Sequence, residues 1–468
     1  MLNDLRSSAV AIDDFSDGWR HETHERLPLE TPTAVFKHQE AQCDSDYRKL
    51  RRIYSCNRAY CLTPGAAYQQ AIDWALQSER HMLEHCQTLL DAVSNPMMLE
   101  ESMNELRPKL NFTKCEHEWL KNNSHKWEWL RDLGSALKGG TFTCGKYRKR
   151  KIPKPGSRGF RTIEIPDTPT RIVSKTLLGI LSPLFDTTFE PFSIGFRPER
   201  SCTHGFAAVN LLFQSGFRYY VKADIRDAFG QIPKKQLLDL FCKRLHDSPV
   251  IPLIDELFVR SRTKGIPQGL SISPLAMNLY LDHYLDRYWK RKVPETTLIR
   301  YADDILIACR TKEEAQDAFS RLQRLSCSIQ MPIKESQADA LFDLPKGDLL
   351  EWLGIGIRVK RDQLTFNLTP KSWNRLTDKF AELKRLNSQK ATRGNTELSA
   401  ICRTRITEKA IGISDVNEVQ AVAKRMRKLA NEQSLDLAGF TNKDAIQTWE
   451  RGQRRWQEIC DEVEGWLP

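Results

Sequence analysis

Two adjacent carboxylates, Asp303 and Asp304, interrupt an otherwise apolar stretch of the chain. The runs on either side, 297–299 and 305–308, are rich in β-prone aliphatic residues and predict a β-hairpin whose turn carries both acids. Carboxylates between buried strands are unfavourable unless a positive charge compensates them, so the turn predicts a cation site. The alternative is a solvated hairpin tip, the usual setting of an isolated Asp-Asp turn.

A third acid, Asp224, ends a short predicted strand and precedes a predicted helix over 234–245. Two neighbouring strands of one sheet could bring Asp224 and Asp303 together. Oxygen ligands without flanking His or Cys favour Mg²⁺, or Mn²⁺ in its place, over zinc. A pair of such ions can activate an attacking hydroxyl and stabilise a leaving oxygen in phosphoryl transfer. These residues therefore predict a nucleotidyltransferase.

Several segments together resemble, in linear order, the motifs of the reverse transcriptase family. They are Lys154-Pro155-Gly156 with 161–166, the segment 193–201, Asp224-Ile225 with Phe229, the segment 265–274, the turn 301–304 and Glu351-Trp352-Leu353-Gly354. The resemblance covers roughly residues 150 to 360, and its colinearity is far more specific than any single tetrapeptide. Within the family the chain is similar to bacterial, group II intron-like enzymes, and closest in architecture to the defence-associated and unknown-group members.

The resemblance implies an α+β fold, a right-hand polymerase with fingers and palm built from an antiparallel sheet plus helices. It implies an α-helical thumb and an α-helical N-terminal extension. We expect the extension over 1–115, fingers and palm over 116–365, and the thumb with a C-terminal helical region over 366–468.

The resemblance also implies roles for individual residues. Asp224, Asp303 and Asp304 would be catalytic and, with the Ile225 carbonyl, would hold two Mg²⁺ ions. The residues implied for the nucleotide are Lys154 and Arg161 on the triphosphate, Phe229 under the sugar, Gln268 in the pocket and Lys334 near the pyrophosphate. Each has a structural alternative: Phe229 as plain core, Gln268 in an ordinary turn, and the cations as solvated surface charges.

The charge of the chain favours a polyanionic partner. Its 468 residues carry 71 Lys and Arg against 60 Asp and Glu, a net charge of +11. The segment 146–161 holds eight basic residues and no acid, which predicts contact with a nucleic-acid backbone, a solvated loop being the alternative. The nucleic-acid-binding candidates are Lys146, Arg148, Lys149, Arg150 and Lys151.

The cysteines and the apolar segments bear on the compartment. None of the 12 cysteines forms a Cys-x-x-Cys pair, a pattern typical of reduced thiols rather than of a zinc site. We find no signal peptide and no run long enough to cross a bilayer. Together these observations predict a cytoplasmic protein without a membrane partner.

Helical periodicity predicts elements outside the palm. It favours a helix over 68–93 and an amphipathic stretch over 119–133 whose tryptophans pack in a core rather than stack on bases. Thr369-Pro370 predicts a helix start. A polar linker is expected over 387–396, followed by helices over 416–431 and 443–466.

The resemblance implies an RNA-directed DNA polymerase that uses dNTPs, an RNA template and a primer or protein hydroxyl, and yields a DNA product. Because the chain leaves no room after the palm for the added domains of mobile intron proteins, it resembles the defence-associated and unknown-group enzymes. That resemblance implies a dedicated non-coding RNA as template and a role in bacterial antiviral defence. Two alternatives stay open: an RNA-binding maturase of the group II intron type, and a template-independent, protein-primed DNA polymerase. Amphipathic terminal helices suit a thumb and a homo-oligomer interface equally well.

Overall fold

The computed structural model describes residues 88–106, 122–153, 159–245, 248–387, 394–413, 415–437 and 439–466. Up to the palm the elements are α1 (Leu89–Ser94), α2 (Pro96–Leu106), α3 (Asn123–Lys138), β1 (Arg148–Pro153), β2 (Phe160–Ile165), α4 (Thr168–Asp186) and α5 (Cys202–Gln214). The palm continues with β3 (Tyr219–Asp224), α6 (Ala228–Gln231), α7 (Lys234–Arg244), α8 (Ile251–Leu257), α9 (Ser273–Leu281), a π-helical turn (Asp282–Asp286), α10 (Arg287–Lys292), β4 (Thr297–Tyr301), β5 (Asp304–Cys309), α11 (Lys312–Ser328), α12 (Gln337–Ala340) and β6 (Leu341–Asp343). After a 3₁₀ turn at Leu344–Lys346 come β7 (Leu350–Trp352), β8 (Ile355–Lys360), β9 (Gln363–Leu368), α13 (Pro370–Asn387), α14 (Gly394–Glu408), a 3₁₀ turn at Ala410–Gly412, α15 (Val416–Glu432) and α16 (Asn442–Glu464).

The palm is an antiparallel sheet of order β4-β5-β3-β6. Side chains alternate across it: Val221, Ile305 and Ile307 belong to one buried cluster, whereas Tyr220 and Leu306 belong to another on the opposite face. This two-residue alternation follows from strand geometry. Because both faces are buried, the strands are apolar almost throughout, and the carboxylates stand only at their ends.

The predicted helix over 68–93 lies mostly outside the described residues, and its described end is not continuous helix. Thr88 has extended backbone, with φ −141° and ψ 161°, and its side chain caps α1 together with Asp91. The prediction was wrong at this point because a capping box starts a new helix there. The expectation of core packing is confirmed for Trp127 and Trp129, which pack against the main core.

The thumb is the helical region after β9. As predicted, α13 begins at Pro370, and its residues Leu376, Phe380 and Leu383 form a buried stripe. The expected linker over 387–396 was wrong at its end, because α14 begins at Gly394. The buried Leu398, Cys402 and Ile406 of α14 recur every four residues, which is helical spacing, so the sequence carried a signal that the prediction missed.

The last helix, α16, does not belong to the thumb alone. Ala445 near its start lies in the thumb core, whereas Ile459 and Val463 lie in the palm core that also contains Phe206 of α5. The expected boundary after residue 365 also falls inside β9, which pairs with β8 up to Leu368. Among the helices that the structure describes, none is long and apolar enough to span a bilayer.

Candidate active site

The fold brings the three predicted aspartates to one end of the palm sheet. Strands β3 and β5 are antiparallel with Asp224 directly opposite Asp304, and β4 and β5 form the hairpin whose turn carries Asp303. The backbone N–H of Ile225 donates to the Asp303 carbonyl over 3.1 Å, which joins the two chain segments just beyond the sheet. Directly opposite residues of an antiparallel pair lie about 4.5–5.5 Å apart at Cα, so the carboxylates share one small region.

Electrostatics in this region are unfavourable for negative charge. Burial and the Asp224 carboxylate raise the pKa of Asp303 above its usual range. Burial, Asp224 and Asp303 raise the pKa of Asp304 to about 7. Within the described residues, no three His, Cys, Asp or Glu side chains already stand in the geometry of a metal site. The fold therefore brings the three carboxylates close together although they repel one another, and a bound cation would stabilise this arrangement.

The segment 332–335 borders Asp224 and supplies the nearest charges. The Lys334 backbone N–H donates to the Asp224 carbonyl over 3.0 Å, and its ammonium donates to a carboxylate oxygen of Asp224. Glu335, which sequence reasoning missed, accepts a hydrogen bond from the Asp224 backbone N–H at 2.8 Å. Lys334 thus acts as a counter-ion to the Asp224 carboxylate.

The predicted nucleotide-binding residues form a second group beside the acids. Phe229 is half-buried against the main core, and its carbonyl accepts a hydrogen bond from the Ile266 N–H at 2.9 Å. The Gln268 carbonyl accepts from the Glu164 N–H at 2.9 Å, which attaches strand β2 to the loop that carries Gln268. Arg161, exposed on β2, lies close enough to Asp303 for its positive charge to oppose the rise in the pKa of that carboxyl. Lys154 lies outside the described residues.

An ion pair between Glu164 of β2 and Arg262, which was not predicted from the sequence, holds β2 against the palm. Arg262 donates two parallel hydrogen bonds to the carboxylate of Glu164, at 2.9 and 2.6 Å. Gly269 allows the close approach, since a Cβ there would lie 2.1 Å from the Glu164 carbonyl oxygen. Fork-to-fork pairing of this kind fixes orientation as well as distance.

The described part of the basic run lies mostly in two paired strands rather than in a loop. Strands β1 and β2 pair from Arg148 opposite Ile165 to Pro153 opposite Phe160. The predicted nucleic-acid-binding residues Lys146, Arg148, Lys149, Arg150 and Lys151 are all exposed. Their charges therefore face solvent on a two-stranded ribbon whose second strand carries Arg161.

A buried polar network under the turn holds the acids in place. Arg300 is 0% exposed; its guanidinium pairs with both carboxylate oxygens of Asp286 at 2.6–3.0 Å and donates to the Ala302 carbonyl at 3.0 Å. Its remaining bonds go to the side-chain oxygens of Asn278, at 2.8 Å, and Ser193, at 2.6 Å. The Ala302 backbone is left-handed, with φ 60°, and the network supports that strained turn.

Sequence reasoning did not single out Arg300, although a signal existed. An arginine inside the apolar strand 297–301 must be buried, and a buried cation requires partners. Which partners these are could not be seen, because Asp286 and Ser193 lie 14 and 107 residues away in the chain.

Comparison with known proteins places this domain in a family. A family model described as reverse transcriptase (RNA-dependent DNA polymerase) matches residues 152–357. Group II intron-encoded protein LtrA of Lactococcus lactis subsp. cremoris is 29% identical over 170 residues, which are 34% of this chain and 28% of LtrA. Protein YkfC of Escherichia coli K12 is 28% identical over 231 residues, 40% of this chain and 60% of YkfC. The chain thus spans less than a third of LtrA.

Solved structures with some likeness include telomerase from Candida albicans in complex with a fragment of telomeric RNA. That likeness has a TM-score of 0.37 at 11% identity and covers 85% of this chain and 86% of the telomerase chain. A Cas6-RT-Cas1–Cas2 complex gives a TM-score of 0.35 at 16% identity, over 79% of this chain and 50% of the other. The family assignment therefore depends on the sequence match, whose limits enclose every strand from β2 to β7. Residues 152–357 of this chain therefore form a domain of the reverse transcriptase family.

Proposed function

We propose that this protein is an RNA-directed DNA polymerase that adds dNTPs to a primer 3′-hydroxyl. The observation that carries the proposal is the β3–β5 register, which sets Asp224 opposite Asp304 and beside the Asp303 turn. The family of the domain supports the same activity. Clustered carboxylates that can hold divalent ions, in a chain of net positive charge, fit nucleotidyl transfer.

The residues present fit divalent ions. The donor set consists of Asp224, Asp303 and Asp304 with the Ile225 carbonyl, all hard oxygens, and the raised pKa values of Asp303 and Asp304 reflect charge that lacks full compensation. We propose two Mg²⁺ ions, with Mn²⁺ able to replace them. When bound, such ions supply Lewis-acid chemistry: they favour ionisation of the primer hydroxyl and neutralise the pyrophosphate.

The remaining work is done by side chains of the chain itself. We propose that Arg161, together with Lys154, binds the triphosphate and stabilises the charge that develops there. Lys334, whose ammonium contacts Asp224, would move to the pyrophosphate once a metal compensates that carboxylate. Phe229 and Gln268 would form the wall of the nucleotide pocket, with Phe229 excluding a 2′-hydroxyl.

The nucleic acid would lie along the basic hairpin. Lys146, Arg148, Lys149, Arg150 and Lys151 are exposed on or next to β1, and phosphate contacts of this kind give affinity without sequence preference.

We keep the division into extension, fingers–palm and thumb as part of this proposal. A cytoplasmic location remains part of it too, consistent with the free cysteines of the described residues.

The direct test is primer extension on an RNA template by the wild-type protein and by Asp303→Asn, which keeps the size of the side chain and removes its charge. We expect extension to collapse while RNA binding persists. The matched control is Asp317→Asn on α11, whose side chain is 50% exposed and pairs only with Arg321 on the surface. An Asp303→Asn protein that extends at the wild-type rate would show that the assignment of metal ligands is wrong.

The wider role that we propose is the copying of an associated non-coding RNA in bacterial antiviral defence. It is supported by the resemblance in architecture, a group II intron-like palm flanked by helical regions, to defence-associated reverse transcriptases. Sequencing the nucleic acids that copurify with wild type and with Asp303→Asn from cells tests it. We expect one defined RNA with complementary DNA, the DNA being lost in the variant. DNA without complementarity to any bound RNA, attached to a side chain, would instead indicate template-independent, protein-primed synthesis.

A second candidate is an RNA-binding maturase. It is favoured by the names of two similar proteins, Group II intron-encoded protein LtrA and the putative COX1/OXI3 intron 2 protein of Saccharomyces cerevisiae, which is 28% identical over 174 residues, 35% of this chain and 20% of that protein. An intron-splicing assay separates the two. Splicing activity that survives Asp303→Asn would favour the maturase.

A further inference from the structure

The segment 192–200, which we name the Phe196 loop, lies directly against the aspartate turn. It pairs with Arg300 of β4: the Ile194 N–H donates to the Arg300 carbonyl at 2.8 Å, and the Arg300 N–H donates to the Phe192 carbonyl at 2.9 Å. Gly195 is so close that a Cβ there would lie 2.2 Å from the backbone nitrogen of Ala302. Residue 196 therefore emerges beside the turn that carries Asp303.

The backbone on both sides of Phe196 is fixed by buried hydrogen bonds. Arg197 is 9% exposed, and its guanidinium donates to the Asp186 carboxylate at 2.7 Å and to the carbonyls of Asp186, Glu190 and Ser193 at 2.7–3.0 Å. The Asn278 side chain donates to the Gly195 carbonyl at 2.7 Å. Since Asn278 also accepts from Arg300, the loop and the aspartate turn share one network.

Within this rigid frame, Phe196 combines two unfavourable features. Its φ is +62°, the left-handed region that a bulky residue rarely adopts. Its side chain is 54% exposed, so its apolar ring gains little from burial. A glycine would remove both costs. A residue that is unfavourable on both counts and locked beside reactive groups indicates that the ring itself has a task.

We propose that the ring of Phe196 stacks on the face of a nucleobase in the nucleic acid that occupies the active site. The inference deepens the proposed function and rests on it. The two arginines of the loop are already paired, Arg197 with Asp186 and Arg200 with Glu462. The loop therefore offers the nucleic acid an uncharged aromatic surface rather than a phosphate-binding cation. Every base has a π-face, so the contact tolerates any sequence, as a polymerase that moves along its template requires.

The test measures binding of a labelled DNA primer annealed to an RNA template, without dNTPs, by the full chain and three variants. Phe196→Tyr keeps the ring, Phe196→Ala removes it, and Phe196→Gly removes it while relieving the strained backbone. We expect Tyr to bind within about twofold of wild type, and Ala and Gly each to bind about 5- to 150-fold more weakly, the range of one base–aromatic stack.

Salt dependence and a control variant separate base stacking from lost phosphate contacts and from a general loss of apolar surface. Because no phosphate contact is lost, Phe196→Ala should leave the slope of log affinity against log salt unchanged, whereas Arg150→Gln on β1 should make it shallower. Met97→Ala also removes an apolar side chain that is 39% exposed, on α2 of the N-terminal extension, and should bind as wild type does. Melting temperatures of the Phe196 variants should match wild type, with Gly equal or higher.

Two results would overturn the inference. Wild-type affinity in Phe196→Gly together with weak binding by Phe196→Ala would mean that only the backbone of the loop matters. Wild-type affinity in all three variants would mean that the ring does not contact this duplex. The proposed function fails separately. If the wild-type protein binds the duplex in a Phe196-dependent way but cannot extend the primer, the stacking contact stands and the polymerase assignment does not.

Discussion

At the scale of single residues, the site is a balance between charges that the fold forces together and those that compensate them. Asp303 and Asp304 have raised pKa values because of burial and of Asp224, and Lys334 supplies the nearest cation. Arg300 lies under the turn with its charge fully paired. Carboxylates arranged in this way destabilise the metal-free protein, and a bound metal ion would compensate their charge.

Asp304→Asn should stabilise the metal-free protein at alkaline pH. The pKa of Asp304 rises from 3.8 to about 7 on folding, so ionising it as the pH rises through this window costs folding free energy. In EDTA, the variant should therefore melt a few degrees above wild type at pH 8, and the difference should shrink as the pH falls to 5. Asp317→Asn is the control, with no such trend expected. A variant that melts below wild type at pH 8 would contradict this electrostatic account.

Arg300→Met should be strongly destabilising, by about 3–5 kcal/mol, because it leaves Asp286 charged and buried without its partner. Adding Asp286→Leu should recover part of the stability measured by denaturant unfolding. It should not recover polymerisation, since the bond from Arg300 to the Ala302 carbonyl is still lost. Full recovery of activity in the double variant would show that the network does not position the turn.

At the scale of elements, segments that are distant in the chain are held together by strand pairing and by one ion pair. The register of β3 against β5 aligns Asp224 with Asp304, and the Glu164–Arg262 pair fastens β2 to the loop before α9. The pair also explains why the pKa of Glu164 is lowered, through hydrogen bonds from Arg262. The position of Arg161 relative to Asp303 therefore depends on a contact that Arg161 does not make.

Arg262→Glu should weaken nucleotide use by misplacing β2. It sets two carboxylates against each other, and we expect the KM for dNTP to rise by about tenfold or more, equivalent to about 1.4 kcal/mol. The charge swap Glu164→Arg with Arg262→Glu should restore most of the KM, which steady-state kinetics would measure. If the swap leaves the KM as high as the single variant does, the pair does not act through its charges.

At the scale of the whole molecule, α16 joins the thumb to the palm. Its first half packs in the thumb core, and Ile459 and Val463 pack in the palm core beside α5. Its C-terminal end continues into a cluster in which Arg200 lies 4.1 Å from the ring of Trp466 and His204 pairs with Glu462 at 3.3 Å. The thumb is therefore attached to the palm by a side-chain core as well as by the chain connection after β9.

Ile459→Ala should loosen the palm as well as α16. Removing a large buried aliphatic side chain costs about 2–5 kcal/mol, and we expect amide hydrogen exchange to quicken in α5 together with α16. Gln457→Ala, on an exposed face of the same turn, is the control and should change neither. Faster exchange confined to α16 would mean that the helix is not part of the palm core.

The sequence predicted the parts of the structure that local patterns determine. The strands around Asp224 and Asp303, the start of α13 and the helices α15 and α16 follow from apolar runs, periodicity and capping residues. The Arg300 network, the Glu164–Arg262 pair and Glu335 beside Asp224 could not be predicted, because each joins residues 14 to 111 positions apart. Helix α14 could have been predicted as well, because its buried Leu398, Cys402 and Ile406 recur with helical spacing.

The measurement that tests the central claim most directly is the rate of single-dNTP incorporation on an RNA template in Mg²⁺. It should be made for wild type, Asp224→Asn, Asp303→Asn and the double variant. If the aspartates act as one metal-holding unit, each single variant loses at least about a thousandfold in rate and the double variant loses little more. Losses of less than about tenfold, or single losses that multiply in the double variant, would contradict the account.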